Sequence, residues 1–147
     1  MLEYKNMTIA YYTPTKDQEI AENIFKTRID GLFYFKYKKF IDQRGFFSQI
    51  LEPERIRHSG INPDFQIKQV NLSVSNEKIT RGIHTEGWNK LITVVQGHAF
   101  CALADVRPDS TTYKKIEYFD FLSAPNSEWG EGLYISKKIG NSVCAVE

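Results

Sequence analysis

Arg81, His84 and Lys90 are the residues of this chain whose types and spacing could perform acid–base chemistry. Arg81 and His84 flank Gly82 and Ile83, and Lys90 begins the next apolar run. Histidine titrates near neutral pH, so it can remove a proton from a carbon beside a carbonyl group. Lysine can stabilise the enolate that forms, and the planar guanidinium of arginine matches phosphate oxygens. Such a set also occurs on ordinary protein surfaces, so the spacing alone leaves both interpretations open.

A second polar pattern precedes this group. Gln69, Asn71 and Ser73 alternate with apolar residues, and side chains two apart on a strand point to the same face. A polar face inside a barrel indicates the wall of a ligand pocket, because unsatisfied polar groups are costly to bury. A polar face turned outward is simply solvated, and the alternation does not distinguish the two.

The elements that must position these residues are predominantly strands. After Gly31 the chain consists of short aromatic and β-branched runs, separated by turns rich in Gly, Pro, Asn and Asp. This pattern predicts an all-β antiparallel sandwich or barrel, with a jelly roll as its closed form. The predicted strands include residues 32–40, 46–51, 65–74 and 91–95.

One short amphipathic helix is predicted near the beginning. Thr15 and Gln18 have the spacing of a helix-capping box. The residues that follow at helical spacing are Ile20, Ala21, Ile24 and Phe25.

The composition narrows the class of protein. The chain has 147 residues, with 19 Lys and Arg against 18 Asp and Glu, so it has the size of one domain and lacks the basic charge of a general nucleic-acid binder. No apolar run approaches the roughly 20 residues of a membrane span. Cys101 and Cys144 lie in apolar strand-like segments, which is typical of reduced, buried thiols. We expect a cytoplasmic protein with no nucleic-acid or membrane partner.

Several motifs, taken in order, resemble the dTDP-4-dehydrorhamnose 3,5-epimerase family. The resemblance extends from about Thr27 onward, and it implies a cupin jelly roll (a double-stranded β-helix). It divides the chain into an N-terminal extension at residues 1–30, which contains the short helix, and a cupin domain at residues 31–147. The motifs are Phe40-Ile41-Asp42-Gln43-Arg44-Gly45-Phe46-Phe47, Gln69-Val70-Asn71-Leu72-Ser73, Arg81-Gly82-Ile83-His84, Lys90-Leu91, and Asp105-Val106-Arg107 with Ser110 and Thr112.

The resemblance implies a reaction and roles for individual residues. The reaction is epimerisation of a 4-keto-6-deoxy nucleotide sugar at C3, C5 or both, with no cofactor and no metal. His84 corresponds to the base that removes the proton beside the C4 ketone, and Lys90 to the residue that stabilises the enolate.

The same resemblance implies the binding residues and the oligomeric state. Arg44 and Arg81 correspond to residues that hold the pyrophosphate, and Gln69 and Asn71 to residues that face the nucleotide sugar. The expected partners are therefore the nucleotide-sugar substrate and a second copy of the chain in a homodimer.

Family members continue beyond the position that matches Glu147, and that further stretch supplies a tyrosine acid and a carboxylate that orients the histidine. We therefore expect the chain to be shortened relative to the family. By residue type, Tyr113, Tyr118 and Tyr134 are candidates for the acid, and Asp105 is a candidate for the carboxylate.

Three alternatives remain at this level. A metal cupin would use His84 and Glu86 as ligands, although the other histidines, His58 and His98, lie in unrelated segments. A 3,4-ketoisomerase of the same fold usually carries a second histidine where Thr85-Glu86 stands here. A non-catalytic nucleotide-sugar binder could use the aromatic rings of Trp88 or Trp129 for stacking on a nucleobase or sugar.

Overall fold

The computed structural model describes residues 8–146 and contains two antiparallel sheets. The larger sheet has the order β1-β2-β3-β9-β6, with β4 paired to β3, and the smaller has the order β5-β10-β7-β8. The elements are β1 (Glu19–Ala21), β2 (Ile24–Lys26), β3 (Leu32–Asp42), β4 (Gly45–Ser48), α1 (Pro53–His58), β5 (Thr80–His84), β6 (Lys90–Thr93), β7 (Gly97–Asp105), β8 (Ile116–Ser123), β9 (Trp129–Ile135) and β10 (Ile139–Ala145).

The main core lies between the two sheets. Strand β7 shows why, because its buried residues Ala99, Cys101 and Leu103 alternate with less buried ones, as the period of two in a strand requires. The core residues from the other strands occupy matching positions. They are Phe25, Ile29, Leu32, Tyr34, Phe119, Phe121, Leu133, Ile135 and Ile139.

Strand β3 is buried on both faces, so it joins this core to a second one. Its residues Phe35 and Tyr37 point away from the space between the sheets and pack with Ile56 of α1 and with Phe65. Proline at the start of α1 favours a helix there because the missing N–H needs no partner in the first turn. The helix thus covers the outer face of the larger sheet.

The predicted N-terminal helix is wrong beyond its first turn. Thr15 N–H does donate to the Gln18 side chain at 3.0 Å, but the helix is a single 3₁₀ turn, Lys16–Gln18. The residues at helical spacing form β1 and β2 instead, and Asn23 with φ of 58° makes the turn between them. Hydrogen bonding of β2 to β3 therefore overrides a local pattern that spans less than two helical turns.

The predicted strand at 65–74 is also wrong, because residues 66–76 form an irregular segment that belongs to no strand or helix. The predicted strands at 32–40, 46–51 and 91–95 correspond to β3, β4 and β6. The all-β prediction is confirmed. The boundary at residue 30 stays a prediction, and across it β2 pairs with β3.

Two further sequence expectations concern helices and thiols. Within residues 8–146, no helix is long and apolar enough to cross a membrane. Both cysteines are free thiols, with Cys101 buried and Cys144 half-buried. Burial raises the pKa of the Cys101 thiol to about 12.

Candidate active site

His84 is held by the pairing of β5 with β10. It lies directly opposite Asn141, and the register shifts before the next pair, Val143 with Arg81, so β5 contains a bulge. Gly82 lies in this bulge with φ of +115°. A Cβ there would lie 2.6 Å from the Asn141 carbonyl oxygen, so the approach of β5 to β10 requires glycine.

The register also shows which way the site faces. Asn141 lies opposite both His84 on β5 and Leu103 on β7. Residues directly opposite in an antiparallel pair share a face, and Leu103 belongs to the core between the sheets. His84 therefore belongs to the inner face of the smaller sheet, at its edge strand β5, where its side chain is 51% exposed.

Glu86 contacts both His84 and Lys90. Its Oε1 atom lies 3.0 Å from His84 Nε2 and accepts a hydrogen bond of 2.6 Å from Lys90 Nζ. The Glu86 side chain is only 16% exposed, so solvent screens these charges weakly. The carboxylate thus joins the two residues to which the sequence assigned catalytic roles.

Asn141 fixes the other side of this group. Its Nδ2 donates to the His84 carbonyl at 3.0 Å and to Glu86 Oε2 at 3.2 Å, and its Oδ1 accepts from Lys90 Nζ at 3.1 Å. Burial favours the neutral form of Glu86, but the hydrogen bonds from Lys90 and Asn141 outweigh that cost, so the pKa of Glu86 is lowered. Glu86 is accordingly ionised at neutral pH.

Of the other predicted site residues, Arg81 lies on the same strand as His84. Its Nε donates to Ser75 Oγ at 2.8 Å and its Nη2 to the Val74 carbonyl at 3.1 Å. These bonds connect β5 to the irregular segment 66–76. Three of the five guanidinium protons remain for another ligand within the described chain.

Gln69, Asn71 and Arg44 are not brought to His84 and Lys90. Gln69 donates to Asn71 at 3.0 Å in the irregular segment 66–76, and both side chains are exposed. Arg44 lies at the turn between β3 and β4 and pairs with Asp42. Hydrogen bonding to Asp42 raises the pKa of Arg44. Within residues 8–146 no hydrogen bond or ion pair links these three side chains to the group around Glu86.

The tyrosines considered as the catalytic acid, and the aspartate considered as the carboxylate that orients His84, lie away from the group around Glu86. Tyr118 stacks on Phe100, on the outer face of β8, and Tyr134 belongs to the outer core, where Asn62 donates to its hydroxyl. Tyr113 is exposed in the loop after β7. None of the three shares the inner face with His84 through a described strand.

Asp105 hydrogen-bonds residues of the turn after β7 rather than His84. Its carboxylate accepts hydrogen bonds from Arg107, Ser110 and Thr112. These bonds, and the one from Arg107 most strongly, hold the pKa of Asp105 well below its usual range. The motif Asp105-Val106-Arg107 with Ser110 and Thr112 therefore has a structural role here.

Sequence reasoning missed Asn141 and gave Glu86 a different role. The spacing of His84 and Glu86 was considered only as that of a pair of metal ligands, in one of the three alternatives. Within the described residues, no group of three or more His, Cys, Asp or Glu side chains is arranged to hold a metal ion. The position of Asn141 opposite His84 depends on pairing between distant strands, so only the register reveals it.

Two facing antiparallel sheets, with an imidazole, a carboxylate and an ammonium group at one edge of the space between them, form a jelly roll of the cupin class. The family model described as dTDP-4-dehydrorhamnose 3,5-epimerase matches residues 26–147. The chain belongs to that family of isomerases, as the motifs predicted.

Individual relatives agree with this assignment. A dTDP-4-dehydrorhamnose 3,5-epimerase of Shigella flexneri is 30% identical over 84% of this chain and 68% of its own length. A dTDP-4-dehydrorhamnose 3-epimerase of Streptomyces niveus is 31% identical over 80% of this chain and 56% of its own. Matches to this and other curated relatives cover 44–68% of those proteins' own lengths.

A solved structure supports the fold over nearly the whole chain. NovW, a 4-keto-6-deoxy sugar epimerase from the novobiocin biosynthetic gene cluster of Streptomyces spheroides, superposes with a TM-score of 0.75 at 25% identity, covering 97% of this chain and 67% of its own. RmlC from Legionella pneumophila, a dTDP-6-deoxy-D-glucose-3,5-epimerase in complex with dTDP-4-keto-L-rhamnose, gives 0.73 at 26% identity, covering 85% and 65%.

Proposed function

We propose that this protein epimerises a 4-keto-6-deoxy nucleotide sugar at C3, C5 or both, with His84 as the base and Lys90 as the enolate stabiliser. The observation that carries this proposal is the arrangement around Glu86. Two of the three Lys90 protons are bonded, to Glu86 and Asn141, which leaves one donor. His84 meets Glu86 through Nε2, which leaves Nδ1 without a described hydrogen bond. The remaining Lys90 proton can be donated to a ketone oxygen, and the neighbouring His84 Nδ1 can accept the proton of the adjacent C–H bond.

The chemistry follows from these two groups. His84 Nδ1 takes the proton from the carbon beside the C4 ketone, and the C–H electron pair moves into an enolate whose oxygen accepts the remaining Lys90 proton. A proton returned to the opposite face of the same carbon inverts it. No oxidation or group transfer occurs, so the reaction balances without a cofactor.

Substrate binding is assigned by residue chemistry. Arg81 and Arg44 would hold the pyrophosphate, since guanidinium groups bind phosphate oxygens through paired hydrogen bonds. Gln69 and Asn71 would face the nucleotide sugar. Relatives support this ligand class, because the Legionella structure contains dTDP-4-keto-L-rhamnose and a Streptomyces bikiniensis 3′-monoepimerase contains dTDP-quinovose.

A non-catalytic nucleotide-sugar binder is the second candidate. The observation that favours it is the outward placement of Tyr118 and Tyr134, which leaves the acid on the opposite face unassigned. A base without an acid would exchange substrate protons with solvent but would not invert the carbon.

The test is solvent deuterium incorporation into dTDP-4-keto-6-deoxyglucose, followed by proton NMR. We expect loss of the C3 or C5 proton signal with the wild-type protein and no loss with His84→Ala. The matched control is His98→Ala, because His98 is also paired with a carboxylate, at 2.6 Å from Asp120, but lies on β7. Exchange that persists in His84→Ala would disprove the assigned base. Exchange without inversion of the carbon would mean that the base acts and the acid is missing, and saturable binding without exchange would favour the binder.

We also propose a homodimer. In the irregular segment 66–76, Val70, Leu72 and Val74 are 79–81% exposed, and the backbone there has no regular strand partner within the described chain. Apolar strand-like segments of this kind are stabilised by pairing with another chain. Gln69 and Asn71 alternate with these apolar residues, so pairing with the second copy would also fix the positions of their side chains.

The compartment we propose is the cytoplasm. Two free thiols, one of them half-buried, are compatible with a reducing environment. Cell fractionation with an antibody against the native protein would test this location.

A further inference from the structure

Glu86 is the residue with the most connections in the candidate active site. Its Oε1 contacts His84 and Lys90, its Oε2 accepts from Asn141, and its backbone carbonyl accepts from Lys138 N–H at 2.7 Å. Among the described residues its ion-pair partners are His84 and Lys90. The carboxylate has three partners, and the hydrogen bond to the backbone carbonyl fixes the chain beneath it, so the carboxylate cannot easily turn away from the imidazole.

We propose that Glu86 is a positioning residue that fixes the His84 ring with its proton on Nε2, so that Nδ1 presents the basic lone pair. The inference rests on the proposed function for its catalytic meaning. A neutral imidazole has one donor and one acceptor nitrogen, and an ionised carboxylate can only accept. A carboxylate beside Nε2 therefore selects the tautomer in which Nδ1 is the acceptor.

The same carboxylate offsets the charge that develops during the reaction. When Nδ1 takes the substrate proton, the ring becomes an imidazolium, and Glu86 lies 3.0 Å from its Nε2. Lys90, at 2.6 Å from the same oxygen, supplies the positive charge that faces the enolate. Glu86 thus sets the orientation of both groups without touching the substrate.

A substrate-free measurement tests the contact directly. Imidazole N–H protons exposed to water exchange too rapidly for detection unless they are hydrogen-bonded, so the wild type should show a His84 N–H signal on Nε2 that disappears in Glu86→Ala. The matched control is the His98–Asp120 pair, whose signal should persist in Glu86→Ala and disappear in Asp120→Ala. A His84 proton on Nδ1, or a signal that survives in Glu86→Ala, would overturn the proposal.

A kinetic measurement tests the catalytic consequence. We expect Glu86→Ala to lower kcat for deuterium exchange about 10²-fold, near the lower end of what a general base contributes, with KM nearly unchanged. Added formate should restore part of the rate, and formamide, which has nearly the same shape but no charge, should not. Equal rescue by both would mean that Glu86 only fills space and would overturn the proposal.

The two measurements separate the possible failures. If the wild type exchanges no substrate protons, the proposed function fails, while the N–H spectra still decide whether Glu86 fixes the ring. If His84→Ala abolishes exchange but Glu86→Ala retains the wild-type rate, the proposed function stands and the role of Glu86 is wrong. Asp120→Ala should retain wild-type exchange, since Asp120 lies on β8 with none of the contacts described for Glu86.

Discussion

Asn141 and His84 face each other across the pairing of β10 with β5, and the Asn141 amide donates to the His84 carbonyl at 3.0 Å. The same amide group bonds both Glu86 and Lys90, so one buried side chain fixes the backbone of the proposed base and the side chains of its two neighbours. Buried polar groups with full hydrogen bonding hold a single geometry, because any rearrangement leaves a partner unsatisfied.

Asn141→Ala should therefore affect stability and activity together. We expect the free energy of unfolding to fall by about 2 kcal/mol, since Glu86 and Lys90 each lose a buried partner. Misplacement of those groups should also lower kcat about 10²-fold. Urea unfolding and deuterium exchange measure the two effects. Asn126→Ala, at an exposed turn, is the control and should change neither.

Gly82→Ala should disrupt the bulge that positions His84. The new Cβ would meet the Asn141 carbonyl oxygen at 2.6 Å and the Ser142 Cα at 2.9 Å, and the positive φ disfavours alanine in any case. We expect a loss of at least ~2 kcal/mol in unfolding free energy. Gly87→Ala is the matched control, because no heavy atom lies within 4 Å of its Cβ position. Equal stability of the two variants would refute this account of Gly82.

The stability of the turn after β7 should depend on pH through Asp105. Hydrogen bonds from Arg107, Ser110 and Thr112 lower the pKa of this carboxyl in the folded protein. A lowered folded-state pKa stabilises the protein at pH values above the ordinary aspartate pKa of about 3.9, and the stabilisation is lost as the pH falls below that value. Asp105→Asn should thus cost about 1–3 kcal/mol at pH 7, and the difference from wild type should shrink in acid.

Urea unfolding of the Asp105→Asn variant between pH 7 and pH 3 would measure this dependence. The control is Asp109→Asn, an exposed aspartate in the same turn, which should follow the wild type at every pH. A difference between Asp105→Asn and wild type that stays constant down to pH 3 would contradict the coupling.

The sequence predicted an all-β fold and the strands β3, β4 and β6, because aromatic and β-branched runs between turns favour strands. The helix predicted over Ile20 to Phe25 is wrong, because pairing of β2 with β3 holds this segment in strands, which local spacing cannot show. Likewise, the group of His84, Glu86 and Asn141 joins residues up to 57 positions apart, so it depends on strand register.

The irregular segment 66–76 provides the last prediction, which concerns assembly. Its alternation favoured a strand, yet within the described chain it has no strand partner, and Leu72 is 79% exposed. If a second copy supplies the partner, Leu72→Asp should convert the dimer to a monomer, because a charge at a buried interface position lacks a counter-ion. Sedimentation velocity at micromolar concentration would measure this, with circular dichroism to show that the fold is retained. Leu122→Asp, at an exposed leucine of β8, should stay dimeric. A wild-type protein that sediments as a monomer would refute the homodimer, and a dimeric Leu72→Asp variant would place the interface elsewhere.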